Sequence, residues 1–232
     1  MNNTIGTVYI VATPIGNLED MTYRAVRILS EVDIILCEDT RHSSHLLKHY
    51  NIHTRTESYH AQSNAGKLEK IADMLRDGKN IALISDAGTP LISDPGSTLI
   101  GFLKKTFSND LALVPIPGAS ALTTALSVIP VPSGHFSFVG FLPQKKGRQT
   151  ALKEIAEREI ATVLYESSHR IVKLLEELVT FCPDMYIYVA RELTKQFEEI
   201  IEGSPQEVLS TISSHANKQK GEFVVVITKM LQ

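Results

Sequence analysis

The strongest constraint on this chain is an alternation that fills its first half. A short, almost continuously apolar run comes first, then a loop rich in Gly, Pro and charged residues, then an amphipathic stretch. The apolar runs are residues 7–13 (TVYIVAT), 33–38 (DIILCE), 80–85 (NIALIS) and 111–114, and residues 55–59 (RTESY) read as a weak strand among them. Runs of this length with no polar face read as strands covered on both sides. Between them, residues 21–30 place Met21, Ala25, Ile28 and Leu29 on one helical side, and residues 63–77 do the same with Leu68, Ile71, Ala72 and Leu75 before Gly78 stops the helix. Residues 41–50 and 97–107 also read as helices. Strands joined by helical crossovers make right-handed βαβ units, so five strands in a mostly parallel sheet are expected.

The second half begins with a proline-rich passage over 116–134 that holds a helix at 119–128. Strands are expected at 136–140, 161–165, 185–190, 196–201 and 222–228, with helices at 148–159, 169–180 and 205–215. The chain therefore divides into two α/β lobes, 1–117 and 118–232, which do not repeat each other, with an active-site cleft expected between them. Its 232 residues suit one large or two small domains.

Composition narrows the function. Hydrophobic residues are 43% and charged residues 21%, ordinary for a globular protein and too apolar for a disordered one. A net charge of −3 excludes a uniformly basic nucleic-acid coat but leaves room for a local basic patch. Two cysteines, Cys37 and Cys182, exclude a disulfide framework and a Cys-rich zinc site, and free thiols suit a reducing, cytoplasmic location. The first four residues, Met1 to Thr4, carry no basic side chain and the apolar run behind them is strand-length, so no secretory signal is expected. Residues 111–144 lack Asp, Glu, Lys and Arg, yet Pro115, Pro117, Pro130, Pro132 and Pro143, with Gly118 and Gly134, break them into pieces. No piece approaches the ~20 apolar residues of a membrane span.

In open parallel sheets, ligands sit beyond the carboxyl ends of strands. The chemically unusual residues of this chain fall there: TPIGN at 13–17, EDTR at 38–41, SDAGTPLISDPG at 85–96, PGASA at 117–121, ESSHR at 166–170 and RELTK at 191–195. Turns alone do not require the charged residues that four of these six loops carry. The 87–96 loop has two Gly and two Pro, a composition suited to close, rigid approach to a ligand. Several familiar motifs are missing: no G-x-G-x-x-G follows a strand, and neither a P-loop nor a G-x-S-x-G elbow occurs. His42, His45 and His49 share a helical face, which reads as a partly solvated face; no metal site is expected.

Taken in order, VYIVATPIGNLEDMTYRA, CEDTR, ISDAGTPLISDPG, PIPGASA, YESSHR, ARELTKQFEEI and KGEFVVVI resemble the motifs of the tetrapyrrole methylase superfamily, in the branch that methylates ribosomal RNA. The likeness runs over residues 7–229. It implies two α/β lobes, each around a five-stranded sheet, largely parallel in the first and mixed in the second. It also implies transfer of methyl from S-adenosylmethionine to the 2′-hydroxyl of a cytidine in the decoding region of 16S rRNA, within the small ribosomal subunit, by a homodimer without metal or membrane. By the resemblance, Ile15, Gly88, Thr89, Pro90, Ile92, Ser120, Ala121, Tyr165, Ser167, Leu193 and Glu222 contact the cofactor. Thr89 stands where the superfamily usually has Asp. Longer relatives continue into a small helical extension expected to help bind RNA, whereas this sequence stops at Gln232.

Methyl transfer from a sulfonium is an in-line displacement, to which positioning contributes about 7–11 kcal/mol. A ribose hydroxyl is a poor nucleophile, and a placed base adds about 10²–10⁴-fold. Glu38, Asp39, Asp94 and Glu166 are the candidates, Glu166 and Asp94 foremost, each with an ion pair as its alternative role (Asp39 with Arg41, Glu166 with Arg170). Arg41 and Arg170 are expected on phosphate. Lys145, Lys146 and Arg148 are either phosphate-capturing cations or a solvated helix start. Two competing functions keep the cofactor: methylation of a tetrapyrrole, and a non-catalytic module that docks on the ribosome.

Overall fold

In the computed structural model, which describes residues 5–60, 62–131 and 134–229, the apolar runs become strands of two five-stranded sheets. The chain divides into two units, Met1–Ser120 and Ala121–Gln232. Of the sequence features discussed above, Pro132, Gln232 and the first four residues lie outside the described residues.

The first unit runs β1 (Thr7–Val11), α1 (Tyr23–Glu31), β2 (Ile34–Cys37), α2 (Thr40–His49), β3 (Thr56–Ser58), α3 (Ala65–Arg76), β4 (Ile81–Leu83), α4 (Ser97–Phe107) and β5 (Ala112–Ile116). The strand order is β3-β2-β4-β1-β5, and every pairing is parallel. β2 shows why the runs have no polar face. Ile34 and Leu36 join a core with Leu68, Ile71 and Leu75 of α3 and Leu99 and Leu103 of α4. Ile35 and Cys37 point the other way, into a core with Ala25, Ile28 and Leu29 of α1 and Leu47 of α2. Each such buried aliphatic side chain contributes about 1.5–3 kcal/mol. Side chains cap the helices: Thr22 accepts from the Ala25 amide, Asp39 from Arg41 and Asn64 from Lys67.

The second unit runs α5 (Ala121–Val128), β6 (Phe136–Gly140), α6 (Arg148–Glu157), β7 (Ala161–Ser167), α7 (Ile171–Phe181), β8 (Tyr186–Arg191), β9 (Glu199–Gly203), α8 (Pro205–Ser213) and β10 (Glu222–Thr228). Its order is β6-β7-β10-β8-β9; β6 lies parallel to β7 and the other pairs are antiparallel. The last strand in sequence thus enters the middle of the sheet, which explains the unbroken FVVVI within it. Leu152, Leu174, Leu178, Val208 and Ile212 of the helices cover one face with Leu164, Val189 and Val225. A capping box of Ser204 and Glu207, with Pro205 in the first turn, starts α8.

Element by element the sequence reading agrees with the structure to within a few residues. β5 extends to Ile116, where 114 was the expected end, because its whole length pairs with β1 at the sheet edge. α5 starts at Ala121, two residues later than expected. Among the described residues, no helix is long and apolar enough to cross a membrane.

Candidate functional site

In the first unit the parallel sheet sets the carboxyl ends of β2, β4, β1 and β5 side by side, and the loops leaving them are laced together. Thr13 and Gly88 exchange backbone hydrogen bonds of 2.8 and 3.0 Å. The Thr13 hydroxyl donates to the carbonyl of Ser85 at 3.3 Å. The Thr89 hydroxyl donates to the Ala119 carbonyl at 3.0 Å. Two glycines permit this closeness. A Cβ on Gly118 would lie 2.9 Å from the Ala12 Cβ, and one on Gly88, whose φ is +78°, would meet Ile15 at 3.1 Å. Ile15, Gly88, Thr89, Pro90 and Ser120 therefore belong to one assembly of three loops. Ile92 projects from it, 37% exposed, between Leu91 and Ser93, whose φ values of 71° and 66° are left-handed. Non-glycine residues hold that conformation only where their surroundings enforce it.

The rim of this assembly is acidic. Glu38 and Asp39 follow β2, Asp86 and Asp94 follow β4, and the Asp39 amide reaches the Asp86 carboxylate at 3.4 Å. Burial, reinforced by the negative charges of Glu38 and Asp86 and opposed by a hydrogen bond from Ser85, pushes the Asp94 carboxyl up to about 6. Burial and Asp86 also raise Glu38, against the nearby His60. Asp39 goes the other way, down to about 2, because the Arg41 side chain and amide hydrogen-bond it. Arg41 donates to it through Nε at 3.2 Å, Nη2 at 2.9 Å and the backbone at 2.8 Å. Asp39 is thus a helix cap and ion-pair partner, while Asp94 and Glu38 are the carboxyls whose proton affinity is raised. Apolar Ile15, Pro90 and Ile92, carried on the same set of strand-end loops as Glu38, Asp86 and Asp94, make a lining suited to a cationic sulfonium with an apolar body.

In the second unit, β10 lies between β7 and β8, and this brings distant residues to one sheet end. Glu222 pairs with Ser167, and Phe223 with Arg191. Tyr165, Ser167, Leu193 and Glu222 consequently gather there. Ser168 Oγ accepts from the Gly221 amide at 2.7 Å and donates to its carbonyl at 2.8 Å. Gly221 has φ +119°, and a Cβ on it would strike Glu192 at 2.6 Å. Lys195 joins Glu192 at 3.0 Å and Glu222 at 2.9 Å. Arg191, 8% exposed, donates to the carbonyls of Lys220, Phe197 and Asn217 at 2.7, 3.1 and 2.8 Å, which pins both loops. Leu193 is buried between Glu192 and Thr194, again two left-handed residues with φ of 51° and 67°. The Leu122 amide at the start of α5 donates to the Tyr165 hydroxyl at 3.0 Å.

Three expectations need correction. Glu166 is not a rim base. Strand alternation turns it away from Tyr165 into the layer facing α6 and α7, where its side chain is fully buried. It accepts from the Ser167 amide at 2.9 Å and lies 3.2 Å from Arg170 Nε. Arg170 is likewise turned inward, donating to the Leu142 carbonyl at 2.6 Å. Arg148, expected beside Lys145 and Lys146 as a free cation, is 3% exposed and clamped by Glu177. The exposed cations of that turn are Lys145 and Lys146, and Arg41 remains at the surface of the first unit. His42, His45 and His49 are exposed along α2, and among the described residues no group of three or more His, Cys, Asp or Glu is arranged to hold a metal ion.

The family model described as Tetrapyrrole (Corrin/Porphyrin) Methylases matches residues 7–209. The chain belongs to the tetrapyrrole methylase family. Its relatives include the Ribosomal RNA small subunit methyltransferase I of Escherichia coli O157:H7, 43% identical over 228 residues that cover 97% of this chain and 79% of that protein. The enzyme of the same name from Hydrogenobaculum sp. (strain Y04AAS1) is 43% identical, with 95% of each chain covered. Among solved structures, the cobalt precorrin-4 methyltransferase CbiF aligns with a TM-score of 0.70 at 15% identity, covering 96% of this chain and 94% of that one. The uroporphyrin-III C-methyl transferase of Thermus thermophilus, complexed with S-adenyl homocysteine, aligns at 0.64 with 18% identity and coverages of 96% and 97%. These structures share the methylase fold.

Several residues that shape these loops and their electrostatics escaped the sequence reading. Asp86 sets the potential felt by Glu38 and Asp94, yet lay unremarked within a quoted loop. Glu177, within the apolar-faced stretch 169–180, is the partner of Arg148. Arg191 was visible as an arginine closing an apolar strand, a position that demands polar partners when buried.

Proposed function

We propose that this methylase uses S-adenosylmethionine to methylate the ribose 2′-hydroxyl of a cytidine in the decoding region of 16S rRNA. The observation that carries the reading is the 43% identity, across nearly the whole chain, to proteins named Ribosomal RNA small subunit methyltransferase I. The acidic, loop-walled rim supports it, because its donor set suits a sulfonium. When bound, the cofactor supplies an electrophilic methyl group. Ile15, Gly88, Thr89, Pro90, Ile92, Ser120 and Ala121 from the first loops, and Tyr165, Ser167, Leu193 and Glu222 from the later ones, hold it. Pro90, Pro95, Gly88 and Gly96 restrict the 87–96 loop to a preset wall. An Asp94 carboxylate oxygen takes the hydroxyl proton. With its pKa raised to about 6, it is mostly ionised at neutral pH and still basic enough to be effective. Glu38 keeps a second proton acceptor on the same rim. Lys145 and Lys146 contact phosphate, giving affinity without sequence information. The partner is the small ribosomal subunit, the working form a homodimer and the location cytoplasmic.

Primer extension at low dNTP on 16S rRNA from a strain lacking this gene tests the reading. A 2′-O-methyl stop should be absent in that strain and return when the chain is supplied. Failure to restore it, with folded chain and cofactor present, overturns the assignment.

A further inference from the structure

The second unit gathers four charged side chains in one place, two of them buried and two part-buried. Arg148 Nε lies 3.0 and 2.8 Å from the two carboxylate oxygens of Glu177, and Arg148 Nη2 lies 2.6 Å from one of them. Arg170 Nε lies 3.2 Å from Glu166, and Arg148 Nη2 lies 4.0 Å from the other Glu166 oxygen, which has no hydrogen-bond partner. Side-chain exposures are 4% for Arg148, 0% for Glu166, 20% for Glu177 and 22% for Arg170. Such a cluster gives little net stability, since well-packed apolar replacements of buried ion pairs are often neutral or stabilising. Its use lies in what it holds. Arg170 Nη2 donates to the Leu142 carbonyl at 2.6 Å, and Arg148 Nη1 to the Pro143 carbonyl at 3.1 Å. Those two carbonyls immediately precede residues 144–147, the exposed turn that carries Lys145 and Lys146 and ends at Gly147 in the left-handed conformation. Through the Ser167 amide, Glu166 anchors the turn that follows β7.

We infer that the Arg148–Glu177–Glu166–Arg170 quartet is a positioning device that fixes the lysine-bearing turn on the β7 end, so that Lys145 and Lys146 meet RNA phosphates in a preset arrangement. This rests on the functional reading above. The four residues touch neither substrate nor cofactor; they act through the two lysines. A preset turn loses less freedom on binding, so its effect falls on RNA affinity and leaves the chemical step alone.

A double-mutant cycle tests it. The Lys145→Ala/Lys146→Ala pair is measured in the native background and in Arg148→Met/Glu177→Met, with Arg148→Lys as the alternative background should the apolar pair fail to fold. The readouts are Tm, the Kd of unmodified 16S rRNA by filter binding at several salt concentrations, KM, kcat and the Kd of S-adenosylhomocysteine. In the native background the lysine pair should weaken RNA binding about tenfold or more and flatten the salt slope by about the two lost phosphate contacts. In either quartet background RNA binding should already be weakened and the salt slope shallow. Removing the lysines there should add less than twofold to the RNA Kd, and the quartet substitutions by themselves should leave kcat and S-adenosylhomocysteine affinity unchanged. Equal lysine factors in both backgrounds mean no coupling and overturn the inference. A wild-type chain that adds no methyl to 16S rRNA overturns the functional reading and this inference with it. Wild-type methylation with uncoupled lysines overturns this inference alone.

Discussion

Asp94→Asn should make the protein more stable above pH 6 and leave it unchanged near pH 4. The native carboxyl titrates at about 6, against 3.8 when unperturbed, chiefly because it is buried and secondarily because Glu38 and Asp86 face it. Between those two values the folded chain keeps a proton that the unfolded chain has released. Stability therefore falls as pH rises through the window, and the loss is complete above it. A shift of about two units corresponds to at most about 3 kcal/mol at 1.36 kcal/mol per unit. Half-burial and solvent screening reduce this to about 1–2 kcal/mol. For a chain of this size that is a Tm difference of about 2–8 °C. Urea unfolding of both proteins from pH 4 to 8 measures it. The midpoints should converge at the acid end and separate through pH 6, with the variant higher. The raised Glu38 will leave a residual slope of the same sign in both. A difference that is constant across pH, or a variant less stable at pH 7.5, would refute the reasoning. The same substitution should lower the single-turnover methylation rate by about 10²–10⁴-fold and remove a rise in rate centred near pH 6. A variant that methylates normally with RNA bound would remove Asp94 as the base.

Three further outcomes follow from packing. Gly118→Ala drives a methyl to 2.9 Å from the Ala12 Cβ and should cost about 1–3 kcal/mol in urea unfolding, whereas Gly101→Ala, with open space around it in α4, should gain about 0.5–1 kcal/mol. Tyr165→Phe removes the acceptor for the Leu122 amide and should lower stability by about 0.5–1.5 kcal/mol, read from chemical denaturation. Thr194→Gly releases a β-branched residue from φ 67°, so Tm should stay level or rise, while calorimetry should show S-adenosylhomocysteine bound several-fold more weakly as Leu193 loses its fixed placement. A clear fall in Tm with unchanged affinity would refute the last of these.

The alternation of apolar runs and amphipathic stretches located the buried strands, because burial on both faces removes polar residues from such a strand at every position, as Ile34 to Cys37 show, whereas the polar β3 carries no such signal. Parallel direction follows from the crossovers, and parallel direction gathers TPIGN, EDTR and SDAGTPLISDPG at one edge. Those loops were therefore legible in the sequence. Their internal electrostatics were not. Asp39 and Asp94 are both aspartates in loops at strand ends, yet one is held down to about 2 by Arg41 and the other pushed up to about 6 by burial. Arg148 stands two residues from Lys146 in a basic turn, yet it is buried against Glu177, twenty-nine positions later. Local pattern determines which segments become strands and helices, since that choice depends on neighbours three or four residues away. Burial, charge pairing and proton affinity depend on groups brought within a few ångströms by the fold, and tertiary structure alone decides which groups those are.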